Sequence, residues 1–101
     1  MEKSIPQVSN NTLGIVNVDQ IPLTSELIRA ARALLRWEQR DLAKASFVSL
    51  PSIKRLESKP GVLAAHNSTI NALKHALERA GIEFMNDGAP GVRLRKRGPR
   101  S

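Results

Sequence analysis

The side chains best suited to chemistry in this chain are cationic, and they concentrate in its middle third. Between residues 29 and 59 only three acids, Glu38, Asp41 and Glu57, stand against eight lysines and arginines. These basic residues are Arg29, Arg32, Arg36, Arg40, Lys44, Lys54, Arg55 and Lys59. A guanidinium group donates paired hydrogen bonds to a phosphate or to the O6 and N7 atoms of guanine. The chemistry this stretch favours is therefore noncovalent recognition of a polyanion.

Catalysis finds little support in the other polar residues. His66 and His75 are nine residues apart, which puts them on opposite sides of any helix that holds both, so they share no metal-ligand face. Glu38 and Asp41 are ordinary acidic partners of a helix dipole. The chain contains no cysteine, no glycine-rich phosphate loop and no nucleophile elbow. We therefore expect no enzyme, no metal site and no cofactor.

The composition indicates one small basic domain. A chain of 101 residues with 41% hydrophobic residues can bury a modest helical core. The net charge of +7 and the isoelectric point near 10.9 favour approach to a polyanion, of which nucleic acid is the commonest. The apolar runs are far too short to span a membrane, and the N-terminus is polar. We expect a cytoplasmic or nucleoid-associated protein without a membrane partner.

The elements that must position the basic residues are helices with clear start signals. The first begins at Thr24, with Leu23 and Ile28 spaced as a hydrophobic staple. Its predicted buried stripe consists of Leu27, Ile28, Ala31, Leu34 and Leu35. Arg29, Arg32 and Arg36 fall on the other side, where they either keep the helix solvated or contact phosphates.

Two short helices crossing at a tight turn follow. The second starts near Glu38 or Gln39 and ends by Ser46 or Phe47, and the third is capped by Ser49. Small Ala43 allows close approach of the third helix. The residues predicted to enter one small core from this unit are Leu42, Val48, Ile53 and Leu56.

A fourth helix and a hairpin complete the prediction. The helix is capped around residues 66–68 and stops at Gly81, with Ile70, Leu73, Ala76, Leu77 and Ala80 on its apolar face. The two period-two segments around residues 86–90 predict a hairpin with Glu83 facing arginines across the strands. Its inward residues are Ile82, Phe84, Val92 and Leu94.

The stretch from Gln39 to Glu57 resembles the helix-turn-helix of the lambda-repressor-like (Cro and phage-repressor, XRE-type) transcriptional regulators. The likeness is densest at Gln39, Leu42, Ala43, Val48, Ser49, Ile53, Leu56 and Glu57. It extends through residues 28–35, 76–84 and 91–94, which look like the short single-domain bacterial members. The resemblance implies a mainly α fold: a four-helix lambda-repressor-like DNA-binding domain with a small C-terminal β-hairpin.

The sequence also predicts a domain layout. Residues 1–22 form a flexible N-terminal extension, 23–81 the helix-turn-helix domain, 82–95 the hairpin and 96–101 a basic tail. Residues 13–18 either add a strand at an edge or in a dimer or belong to a disordered leader. The tail cations either follow an adjacent minor groove or only add solubility.

The resemblance implies that the third helix enters the major groove of double-stranded DNA. It also implies that the protein regulates transcription as a repressor. Arg55 dominates direct readout of guanine, or else makes a plain phosphate contact. The residues placed by position at base edges are Leu50, Pro51, Ser52, Lys54 and Arg55. The expected contacts to the DNA backbone come from Gln39, Arg40, Lys44, Ser49 and Lys59. Such regulators bind as homodimers, here through the hairpin edge or the fourth helix.

Two positions depart from the family pattern. Phe47 stands where the turn usually has glycine, so it either adopts a positive φ at a cost of order 1 kcal/mol or sends the turn along another path. Glu38 stands where serine or threonine commonly caps the second helix, which forfeits about 0.5 to 1 kcal/mol, partly returned by its charge at the positive helix end.

Two rival functions remain open at this point. One is an antitoxin-like interaction module that binds a toxin-like partner protein and uses the helix-turn-helix for autoregulation, with its chain ends folding on that partner. The other is RNA binding, for which stacking aromatic residues are expected. Trp37, Phe47 and Phe84 are the only aromatic residues, and we expect all of them to be buried, which weakens the RNA alternative.

Overall fold

The computed structural model describes residues 22–86 and 88–95, so the predictions for residues 1–21 and 96–101 lie outside the described residues. In the described part the chain forms helices and then an antiparallel hairpin. The helices are α1 (Ser25–Leu35), α2 (Gln39–Ser46), α3 (Leu50–Ser58) and α4 (Asn67–Arg79), and the strands are β1 (Ile82–Asn86) and β2 (Pro90–Leu94). The mainly helical class with a small C-terminal hairpin is confirmed.

The predicted helix starts at Thr24 and Ser49 are confirmed. The Thr24 hydroxyl accepts the Leu27 N–H at 3.1 Å, and the Ser49 hydroxyl accepts the Ser52 N–H at 3.3 Å. At the start of α2 the Glu38 N–H donates to the Asp41 carboxylate at 2.8 Å. The acid three positions after the cap thus satisfies a backbone donor at the helix start.

The core forms where the four helices and the hairpin meet. α2 packs on α4, α3 packs on both α1 and α2, and the hairpin contacts α1 through β2 and α4 through β1. The predicted burial of Leu42, Ile53 and Leu56 is confirmed, and Val48 packs against this core while staying half-buried. The buried apolar residues are Leu23, Leu27, Ile28, Ala31, Leu42, Ile53, Leu56, Leu63, Leu73, Ala76, Leu77, Ile82 and Phe84.

One residue of the predicted α1 stripe and one inward residue of the predicted hairpin are exposed instead of buried. Leu34 is 42% exposed because it lies at the edge of the α1 stripe, furthest from the line of Ile28, Ala31 and Leu35. Leu94, at the end of β2, is 45% exposed. The Leu94 side chain lies over the backbone of Gly81. A Cβ added at Gly81 would be 3.3 Å from that side chain.

The hairpin register confirms the predicted charge pairing. Glu83 lies opposite Arg93 in the register, and the Arg93 Nε donates to the Glu83 carboxylate at 2.6 Å. Arg95 approaches the other oxygen of the same carboxylate at 4.0 Å. Because these arginine side chains are largely exposed, each pair adds well under 1 kcal/mol.

A buried carboxylate joins the first three helices. Glu57 of α3 is 6% exposed, and Arg32 of α1 holds both its oxygens, with Nε to Oε2 at 2.8 Å and Nη2 to Oε1 at 2.6 Å. The Gln39 amide at the start of α2 donates to Oε1 at 3.1 Å. Arg32 also donates to the Trp37 carbonyl, and Arg29 donates to the Glu57 carbonyl, each at 2.9 Å. The sequence predicted that Arg32 either solvates the helix or lines it against phosphates. Both alternatives are wrong for Arg32, since its guanidinium is directed into the fold.

The segment after α3 is fastened to the start of α1. Gly61 has a φ of +95°, its carbonyl accepts the Ser25 N–H at 3.0 Å, and its N–H donates to the Glu26 carboxylate at 3.1 Å. Hydrogen bonds from its own backbone N–H and from that of Gly61 hold the pKa of Glu26 below its ordinary value. A left-handed residue is needed at this joint, which accounts for glycine there.

We expect Arg32→Ala to lower the free energy of unfolding by about 3 kcal/mol, because it leaves the Glu57 carboxylate buried without its counter-charge. Arg93→Ala removes the same charge from an exposed pair and should cost less than about 1 kcal/mol. Urea unfolding followed by circular dichroism measures both. Equal losses in the two variants would contradict the central position given to Glu57.

We also expect the stabilising effect of Glu26 to depend on pH. A carboxyl whose pKa is lower in the folded state stabilises the fold above its unfolded pKa of about 4.3, and this is lost as the pH falls through the folded value. The difference in melting temperature between the wild type and Glu26→Gln should therefore shrink from pH 6 towards pH 3. A difference that does not change with pH would contradict this.

Candidate nucleic-acid interface

The helix α3 divides its side chains between the core and the solvent. Ile53, Leu56 and Glu57 are buried. All five residues predicted for base readout have solvent access: Pro51, Lys54 and Arg55 are exposed, while Leu50 and Ser52 are half-buried. Pro51 lies in the first turn, where its missing N–H leaves no hydrogen bond unmade.

The outward face of α3 is cationic because its one acid is turned inward. Glu57 is the single acidic residue of α3, and Arg32 neutralises it inside the fold. Lys54 and Arg55 are exposed on the helix, and Lys59 is exposed directly after it. This face therefore presents positive charge and hydroxyl groups to an approaching polyanion.

An open groove of about 640 Å³ runs between α3 and the start of α4. It brings together Arg55 and the hydroxyl residues Ser49 and Ser52 from the predicted site. Its lining residues are Phe47, Val48, Ser49, Ser52, Arg55, Ala64, Ala65, His66 and Thr69, and none of them is acidic. Hydroxyl, imidazole and guanidinium groups are donors that suit phosphate oxygens.

Arg55 also borders a second, smaller depression of about 170 Å³ on the side of the 59–64 loop. Lys59 lies in the lining of this depression with Arg55, so two cations border it. Val62, 66% exposed, contributes an apolar wall. Arg55 and Ala64 line both grooves on this side of α3, and Arg55 is the charged one of the two.

The opposite side of α3 meets the start of α2. A depression of about 140 Å³ there is lined by Glu38, Gln39, Arg40, Leu50 and Lys54. The Arg40 Nε lies 3.5 Å from the Glu38 carboxylate, so part of the Arg40 charge is offset. Arg40, Lys54 and Leu50 are thus brought together, whereas Lys44 lies further along α2 and lines none of these three grooves.

Gln39 has an internal role that the sequence did not reveal. Its side-chain amide holds Glu57, so this side chain helps to fix α3. Its backbone N–H is the first of α2, a position without an intrahelical acceptor, and it remains suited to an anion. The only sequence signal for the internal role was the presence of an amide and an acid in neighbouring helices.

Phe47 takes the first of the two predicted alternatives, a positive φ. Its φ of 63° and ψ of 20° are left-handed, and its N–H closes α2 on the Ala43 carbonyl at 2.9 Å. The prediction that Phe47 is buried was wrong, since it is 93% exposed. The left-handed turn sends its side chain outward, and Val48 fills the core position instead. Trp37 is half-buried and Phe84 is buried.

Ser46 stabilises the same turn and was missed by sequence reasoning. Its buried hydroxyl donates to the Leu42 carbonyl at 2.7 Å and accepts the Val48 N–H at 3.2 Å. One side chain therefore satisfies backbone groups on both sides of Phe47. A serine at the end of an amphipathic helix, on its apolar side, was the available signal.

The chain matches no protein-family model and no curated protein. In the described ranges no three histidine, cysteine or acidic side chains are grouped to hold a metal ion. None of the helices in this part of the chain has the length and apolar character needed to cross a membrane.

We expect Phe47→Gly to be at least as stable as the wild type. Glycine removes a left-handed penalty of about 1 to 2 kcal/mol, partly offset by about 0.5 to 1 kcal/mol of greater freedom in the unfolded chain. Phe47→Ala keeps the penalty and should not gain stability. Thermal unfolding measures both, and a lower melting temperature for the glycine variant would show that the ring contributes to packing.

Proposed function

We propose that this chain binds double-stranded DNA in a sequence-specific manner and regulates transcription as a repressor, with α3 in the major groove. The observation that carries the proposal is the outward face of α3, which is cationic because Glu57 is buried against Arg32. A duplex offers phosphates at the groove edges and base acceptors within, and this face carries donors for both. We further propose that the fold is of the lambda-repressor-like helix-turn-helix type.

The division of tasks follows from position. Arg55, exposed between two grooves, is the residue for bidentate recognition of guanine. Lys54 and Ser52 reach neighbouring base edges, and Leu50 and Pro51 contact thymine methyl groups or exclude a base. The helix is held rigidly from α1 and α2, which a base-reading element needs in order to keep its register.

The backbone contacts surround this reading face. The first turns of α2 and α3, with Gln39 and Ser49, present backbone N–H groups to phosphates. Around them lie the exposed cations Arg40, Lys44 and Lys59, which add attraction without sequence preference. Such contacts fix orientation, while the base contacts of α3 select the site.

A unit of this size reads few base pairs, so we propose a homodimer on paired half-sites about one helical turn apart, acting in the cytoplasm at the nucleoid. The exposed edge of the hairpin and the outer face of α4 are the surfaces available for pairing.

The test is selection of binding sites from a randomised duplex pool by the wild type, Arg55→Ala and Arg93→Ala. We expect a defined, palindromic site for the wild type. Arg55→Ala should bind that site about 5- to 100-fold more weakly and lose preference at one base pair per half-site. Arg93→Ala removes an equal charge from the hairpin, which reads no base, so it should keep the base-pair preference even where weaker pairing through the hairpin lowers the overall affinity.

Titration of the selected site against salt separates the two roles left open for Arg55. A pure phosphate contact would lower the salt slope by about 0.9 per subunit and leave the preference intact. A pool that stays random for the wild type would contradict sequence-specific regulation. The antitoxin-like alternative, with a toxin-like protein partner, would then take its place, and co-purification from the native cell would test it.

A further inference from the structure

Phe47 combines two features that fold stability does not explain. Among the exposed large apolar residues in the described part of the chain it has the highest exposed fraction, 93%. It also occupies a left-handed conformation that glycine adopts without strain. Local stability and solubility both favour glycine at this position, so neither accounts for the phenyl ring.

The ring is presented from a fixed position. The Phe47 N–H is bonded to the Ala43 carbonyl, and the next N–H, that of Val48, is bonded to the buried Ser46 hydroxyl. The backbone on both sides of the ring is therefore tied to α2 and to the core. A side chain on such a support contacts a partner with little loss of conformational entropy.

The surroundings of the ring indicate a polyanionic partner. Phe47 lines the same groove as Ser49, Ser52 and Arg55, together with His66 at the start of α4, and no acid borders it. The ring is 93% exposed where it lines this groove, so a partner seated there contacts both the apolar ring and the donors of Ser52 and Arg55. Nucleic acid satisfies both the charge and the apolar contact.

We propose that Phe47 is a specificity-determining residue that contacts the C5-methyl group of a thymine beside the base pair read by Arg55. This inference rests on the proposed function. The thymine methyl is the apolar group that the major groove displays, and phenyl rings are among the side chains that contact it. Phe47 precedes the cap of α3 by two residues and shares a groove with Arg55, so both reach one stretch of DNA.

The test replaces each thymine of the selected operator in turn with deoxyuridine, which lacks only the methyl group. For the wild type we expect a thymine beside the base pair read by Arg55 at which the substitution weakens binding about fourfold, the value of one buried methyl group. Thymines that Leu50 or Pro51 contact also respond to it. For Phe47→Gly and Phe47→Ala the effect at the thymine beside the Arg55 base pair should disappear, while the effects at the other thymines remain. Melting curves of each variant confirm that it is folded.

The outcomes separate this inference from the proposed function. If a site is selected but deoxyuridine has the same effect on the wild type and on both variants, the role of Phe47 is wrong and the proposed function stands. A uniform loss of affinity over all sequences in the variants would likewise overturn it, because the ring would then contact the sugar-phosphate backbone. If no site is selected, both proposals fail.

Discussion

The ion pair between Arg32 and Glu57 is the interaction on which the rest of the structure depends. Transfer of a carboxylate out of water costs several kcal/mol unless charge and hydrogen bonds replace the lost hydration. Arg32 supplies two charged donors and Gln39 supplies a third, so the carboxylate oxygens are well satisfied. Because these donors come from α1 and from the start of α2, the pair fixes how α3 lies against both helices.

The same pair determines the electrostatics of the surface. Had Glu57 faced outward, it would have offset one of the cations on α3 and weakened the attraction of that face for a polyanion. Its burial leaves Lys54, Arg55 and Lys59 without an outward acid of α3 beside them. The pair can define the packing of α3 without adding net stability, because a packing that separated the two residues would leave a charge buried without a partner.

Phe47, unlike Arg32 and Glu57, is a residue whose conformation lowers local stability. The turn between α2 and α3 is stabilised around it by Ser46, which satisfies backbone groups on both sides, while Phe47 itself takes a strained conformation. Residues that break a local rule tend to occur at functional sites, where a partner compensates for the cost. The strained residue Phe47 precedes the start of α3, and the hydrogen-bond network of Glu57 lies near its end.

The sequence by itself determined the local features: the caps at Thr24 and Ser49, the helical stripes, the hairpin pairing of Glu83 and the outward positions on α3. Each depends on residues within a few positions, or directly across a hairpin, so spacing is sufficient. The tertiary structure alone decided that Arg32 meets Glu57, 25 residues away, and that Gln39 joins them. It also decided that Phe47, Leu34 and Leu94 are exposed. Burial and long-range pairing depend on which elements pack together, and a periodic pattern does not encode that.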